Sequence, residues 1–165
     1  LLWSVLGGAT HPSRASRKEM LAAVVCTLLV AGVGCGEAGV ADNATVNAYV
    51  AARLCAEAKQ ELERESGRAG DVRVRVVCLR EAEGGSKLDL AMVGANARRA
   101  TEDSIAIGYV ETRGPAARFS EPILDSAGIA FVNASSGKAG MARLLQAIRD
   151  ADSSSLRESV HNALD

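Results

Sequence analysis

Apolar residues recur along this chain in two rhythms, period two and period three to four, and the two alternate. In VNAYVAA (residues 46–52), Val46, Ala48 and Val50 alternate with Asn47 and Tyr49, which predicts a first strand. RLCAEAKQELERES then sets Leu54, Ala58 and Leu62 on one helical face, with Glu61, Glu63 and Glu65 on the others and Gly67 as the stop. VRVRVVCL (residues 72–79) opens with the strictest alternation, Val72, Val74 and Val76 against Arg73 and Arg75. A central parallel strand would be apolar on both faces, so this pattern predicts an edge strand. A loop at residues 81–86 leads to a helical run from Leu88 to Thr101 and then to the apolar run IAIGYV. The polar turn ETRGP, a second helical run and the strand IAFV, closing on Asn133, complete the unit. Two short apolar strands joined by a helix make a βαβ unit, whose strands are parallel. Further on, Met141, Leu144, Leu145 and Ile148 fall at i, i+3, i+4 and i+7, an amphipathic helix that covers the sheet. Ser155 and Glu158 form a capping box for a last helix with Leu156, Val160 and Leu164 on one face. The helix ending at Leu164 reads as a finished terminus, a fragment of a longer gene being the alternative.

With the 72–79 strand at the margin, the strand order becomes 2-1-3-4, the flavodoxin-like form of a doubly wound sheet. The expected fold is therefore α/β: one doubly wound parallel-sheet lobe with C-terminal helices. Ligands of such sheets sit outside the carboxyl ends of the strands. Here those ends are Glu111 to Pro115 and Asn133 to Gly137.

Ahead of the lobe the pattern changes. Arg14, Arg17 and Lys18 precede the uncharged run LAAVVCTLLVAGV, which ends at Gly34-Cys35. A basic stretch, an apolar run of about 13 residues and a small-residue junction make an export signal, too short for a span of about 20. Gly34-Cys35 resembles the lipobox of bacterial lipoproteins, although Gly32 stands where the usual pattern has Leu. The resemblance implies lipidation of Cys35; an uncleaved anchor or an ordinary signal peptide is the alternative. The division is then 1–35 export signal, 36–44 tether (GEAGVADNA, small and polar) and 45–165 lobe. The localisation expected is extracytoplasmic, on the outer face of the cell membrane. Cys26 leaves with the signal, so Cys55 and Cys78 remain in the lobe, near one sheet edge if the first two strands are neighbours. An exported chain permits disulfides, and a Cys55–Cys78 bond is expected, against two buried reduced thiols.

Composition narrows the function. The 165 residues are 48 % hydrophobic but only 3 % aromatic, so Ala, Val, Leu and Ile must build the core. Charges of both signs are interspersed to a net of −1 with no basic stripe, which argues against nucleic acid as a partner. His11 precedes the signal and His161 sits in the final helix, away from the expected loops, so Ser-His-Asp and Cys-His arrangements lack a base. No His/Cys metal spacing appears, and SSGKAG lacks the first Gly and the following Ser/Thr of a phosphate-binding loop. Glu111 and Asp125 read as a solvated turn and a helix surface. The chain is expected not to be an enzyme and to carry neither metal nor cofactor.

NARRATEDSIAIGYVETRGPAARFSEPILDSAGIAFVNASSG resembles the amino-terminal lobe of type I periplasmic binding proteins, particularly the branched-chain amino-acid (leucine-binding) lipoprotein receptors of ABC importers. The resemblance rests on NARRATED before a strand, the turn ahead of a Pro-containing helix, and AGI opening the next strand. It spans roughly residues 45–137. It implies that Thr112, Arg113 and Gly114, in the loop with Pro115, and Asn133, Ser135 and Ser136, in the loop with Ala134, hold the amino and carboxylate groups of a ligand. Gly114 stands about where the family often has a ligand-binding Ser, and the chain has room for one lobe only. The function implied is solute binding for amino-acid transport. The partners implied are a small polar solute (an amino acid), an ABC permease or another cell-envelope protein, and the membrane through a lipid anchor. The alternative function is a non-transport lipoprotein acting as a protein-interaction or structural module.

Overall fold

The computed structural model describes residues 44–84, 87–151 and 155–165. The export signal, Cys35 and all but the last residue of the tether lie outside the described residues. The described elements are β1 (Thr45–Val50), a 3-10 turn (Ala52–Leu54), α1 (Cys55–Arg64), β2 (Arg68–Ala69), β3 (Val72–Cys78), β4 (Glu83–Gly84), β5 (Lys87–Leu88) and α2 (Leu90–Thr101). Next come β6 (Ala106–Glu111), α3 (Pro115–Asp125), β7 (Ala130–Asn133), α4 (Gly137–Asp150) and α5 (Leu156–Leu164). Among the described residues, no helix is long and apolar enough to cross a membrane.

The fold is α/β, with a mostly parallel five-stranded sheet ordered β2-β3-β1-β6-β7. β1 pairs in parallel with β3 and β6, and β6 with β7. The outermost position, expected for the 72–79 strand, belongs to β2 instead. This two-residue strand pairs antiparallel with the start of β3. It exists because α1 ends in a tight reversal: Gly67 N–H donates to the Leu62 carbonyl and Ser66 N–H to the Glu63 carbonyl, with Ser66 and Gly67 both at positive φ. That Schellman pattern turns the chain straight back along β3. Within the expected loop at 81–86, β4 pairs antiparallel with β5 just beyond it, so Leu88, expected to open the helix, belongs to a strand and α2 begins at Leu90.

Two apolar layers flank the sheet. On one face, Val46, Ala48, Val50, Val110, Ala130 and Val132 meet Leu54, Ala58, Met141, Leu144, Leu145, Ile148, Leu156 and Val160 from α1, α4 and α5 and the turn before α1. On the other, Tyr49, Tyr109 and Phe131 meet Ala100, Ala117 and Leu124 from α2 and α3. Tyr109 and Phe131 are cross-strand neighbours with ring centroids 5.9 Å apart. The first layer is aliphatic throughout, as the composition requires, whereas the second holds the aromatic rings.

Helix starts follow local chemistry. The Asp89 side chain accepts from Met92 N–H at 3.0 Å and caps α2. The capping box expected at Ser155 and Glu158 does not form, since Ser155 makes no cap bond and its hydroxyl lies 3.2 Å from that of Ser159. At the amino end of the sheet, the Asp103 carboxylate accepts from Asn47 Nδ2 (2.7 Å), the Tyr49 hydroxyl (2.9 Å) and Ile105 N–H (3.0 Å). Burial alone would raise the Asp103 pKa. The hydrogen bonds from Asn47, Ile105 and Tyr49, with the nearby Arg157 charge, outweigh that and hold it below the usual value. The same network, after burial, pushes the Tyr49 phenol up to about 12.

Cys55, at the start of α1, and Cys78, at the end of β3, form a disulfide with Cα atoms 5.6 Å apart and a sequence separation of 23 residues. Replacing both cysteines by alanine should lower the free energy of unfolding by about 3 kcal/mol, measured by urea denaturation of the oxidised wild type beside the variant. Asp103 gives a second expectation. A carboxylate with a depressed folded pKa stabilises above its unfolded pKa and loses that contribution as pH falls through the folded value. Urea midpoints of wild type and Asp103→Asn should therefore differ at neutral pH and converge in acid, once the pH has fallen through the lowered folded value. A gap that persists unchanged in acid would mean the stabilisation is not carried by the Asp103 charge.

Candidate functional site

β6 and β7 lie side by side with Glu111 opposite Asn133, so their carboxyl ends open at one level. The Ala134 N–H donates to the Glu111 carbonyl at 2.9 Å, which binds the two loops to each other just past the strands. Thr112, Arg113, Asn133, Ala134 and Ser135 then line one open cleft of about 580 Å³. Four of the six ligand-site residues expected from sequence are thus brought together. Arg113 and Ser135 are exposed, and Thr112 and Asn133 half-buried. The other two are helix caps beside the cleft. Gly114 is the N-cap of α3 and offers no side chain to its first turn, while Pro115 occupies the first helical position. Ser136 is the N-cap of α4, and its hydroxyl accepts from Ala139 N–H at 3.2 Å, so it is already engaged in holding the helix.

α4 is seated by its glycines. A Cβ on Gly137 would collide with the Leu54 carbonyl oxygen, and one on Gly140 with the Val110 side chain. The Gly137 N–H donates to the Glu57 carboxylate at 2.9 Å, so α1 caps the amino end of α4 across 80 residues of sequence. This anion suits the positive end of the helix and satisfies an amide with no partner inside it. The amino end of α4 is therefore closed by protein groups, whereas no side chain caps α3.

Two sequence-based readings need correction. Glu111, read as part of a solvated turn, is the last residue of β6 and only 7 % exposed. Its carboxylate accepts from Thr112 N–H at 2.9 Å and stands 3.9 Å from the Arg53 guanidinium. The strand continues one residue beyond its apolar run, which is why a polar residue ends up inside. His161, placed by sequence away from the strand-end loops, lines a second cleft together with Arg113 and Asn133. α5 packs on β6 and β7, so a residue near the end of the described chain returns to the carboxyl end of the sheet. Asp125, read as plain helix surface, is exposed but lies 3.4 Å from His161 Nε2. The His161–Asp165 spacing of four residues on a helix was the one available signal, and it says nothing about which strand the helix covers.

The seat of α4 can be tested directly. Gly137→Ala sets a methyl against backbone, which cannot step aside as a flexible side chain would. It should destabilise by roughly 1–3 kcal/mol in urea denaturation. Ser135→Ala, at an exposed residue, should change stability by less than about 0.5 kcal/mol. No protein-family model, curated protein or solved structure matches the chain.

Proposed function

We propose that this chain is an extracytoplasmic solute-binding lipoprotein, related to amino-acid (branched-chain type) ABC transport in a one-lobe form, that binds rather than catalyses. In this reading the lobe is doubly wound with the flavodoxin-like order 2-1-3-4, Cys35 carries the lipid, and an envelope permease is the partner. The observation that carries the reading is the convergence of Thr112, Arg113, Asn133 and Ser135 on one open cleft at the carboxyl ends of β6 and β7. The succession β3-β1-β6-β7 supports the strand order, and the location agrees with where open parallel sheets bind ligands. The chemistry suits a small zwitterion. Hydroxyls, the Asn133 amide, the Arg113 charge and the uncapped amino end of α3 are donors for a carboxylate. The cleft is open on one side, so binding on this lobe alone is weak.

A specific observation favours the second reading, an interaction or structural module. Phe119 and Ile123, one turn apart on α3, are 52 % and 37 % exposed. Thermal unfolding of the full oxidised chain with a panel of amino acids separates the two. A ligand that binds only the folded state stabilises it by about 2.7 kcal/mol at one hundred times Kd. Leucine, isoleucine or valine at millimolar concentration should raise Tm, and the rise should shrink in Arg113→Ala and Ser135→Ala. A cooperative transition that no amino acid moves would sink the solute-binding reading and favour the module.

A further inference from the structure

Two side-chain atoms among the described residues are buried without a hydrogen-bond partner, Asn133 Oδ1 and His161 Nδ1. Both residues line the same cleft, a space of about 560 Å³ beside the end of β7 that also takes in Asp125, Asp165, Arg113 and Arg143. On its other ring nitrogen, His161 faces two carboxylates. Nε2 is 3.4 Å from Asp125 Oδ1 and 3.1 Å from Asp165 Oδ2, and the three potential ligand atoms all lie within 4.8 Å of one another. Asp125 ends α3, whereas His161 and Asp165 are one turn apart at the end of α5, so two helices meet at this point.

We propose that Asp125, His161 and Asp165 form a binding site for a divalent transition-metal ion of the zinc class, with its remaining coordination positions open to the cleft. Bonds of about 2.0–2.1 Å in tetrahedral geometry set ligand atoms about 3.3 Å apart, the spacing His161 Nε2 already keeps from both carboxylates. The Asp125 and Asp165 side chains are 65 % and 51 % exposed, so they have freedom to close on an ion, while the imidazole, 16 % exposed, is held by the helix packing. Charge balances, because two carboxylates and a neutral ring offset a divalent cation. An imidazole nitrogen in the set selects zinc-class metals over magnesium or calcium, which take oxygen ligands.

The buried atoms favour the same reading. Nε2 faces the two carboxylates, while Nδ1 is buried without a partner. An ion on Nε2 leaves the ring proton on Nδ1, where a ligand histidine ordinarily donates to a nearby acceptor. Among the residues lining the same cleft, Asn133 has a buried side-chain oxygen without a donor. The proposal is independent of the solute-binding reading and uses different side chains as ligands.

The test is calorimetric titration of zinc into the full chain, its disulfide intact and Cys26 and Cys35 alkylated, beside Asp125→Asn and His161→Gln. One ion per chain is expected, weakened more than about tenfold in each variant, with cobalt(II) giving the absorption of nitrogen and oxygen ligation. No heat of binding to a chain that unfolds cooperatively would overturn the site, as would zinc affinity unchanged in both variants. If His161→Gln fails to fold, Asp125→Asn decides alone, because that carboxylate is exposed and its replacement leaves the packing intact.

Discussion

How closely α4 approaches the sheet governs most of what the described residues do. Leu144 occupies the space where Gly108 has no side chain, Gly140 lies against Val110, and Gly137 touches the backbone before α1. Each contact is a glycine on one side and backbone or a branched aliphatic group on the other. A chain poor in aromatics has little bulk with which to hold a helix far from a sheet, so close seating is the way it excludes water. The cost is intolerance, greatest at Gly137, where an added methyl would meet backbone that cannot step aside. Because α4 starts directly after β7, its seat also fixes where Asn133, Ser135 and Ser136 stand.

The two ends of the sheet are handled differently. At the amino end, Asp103 gathers Asn47, Tyr49 and the Ile105 amide, while Arg157 from α5 donates to the Ser104 carbonyl at 2.5 Å. Polar groups there satisfy one another. At the carboxyl end, structural bonds are spent on the helix start, with Glu57 on Gly137 and Ser136 on Ala139. Arg113 and Ser135 remain at the surface beside an uncapped α3. Rigid support beneath exposed donors is the arrangement a binding loop requires.

Much of this could be read from the sequence, for identifiable reasons. Among the described residues, alternation marked β1 and β3, continuous apolar runs marked β6 and β7, and helical runs marked the five α-helices, each to within a few residues. Leu54, Ala58 and Leu62, or Leu156 and Val160, needed nothing beyond helical spacing. The Cys55–Cys78 pair followed from placing two strands side by side. What escaped depended on tertiary geometry. β2 arises from the reversal at Ser66 and Gly67, and two residues are too few to carry a period. The Ser155–Glu158 spacing satisfied the pattern of a capping box while the backbone took a different start. Glu111 sits one residue past its apolar run, and only the pairing with Asn133 puts it inside. The grouping of His161 with Asp125 requires knowing which strand α5 covers, and no local pattern encodes that.

Asn133 and Arg113 belong to both clefts, and this overlap bears on how the carboxyl end works. The Asn133 carbonyl accepts from Arg143 of α4 at 3.2 Å, so its backbone is tied to the helix while its side-chain oxygen lacks a partner. Arg113, exposed on the loop before α3, lines one cleft with Asp125 and Glu121 and the other with Thr112 and Ser135. An anion drawn to Arg113 in either cleft changes the charge felt in the other. At a separation of several ångströms near a protein surface, such coupling is of order 1–3 kcal/mol and is screened by salt. In the reading advanced above, a solute carboxylate and a metal site would therefore meet through one guanidinium, and the geometry of β6 and β7, pinned by the depth of α4, sets the distance between them.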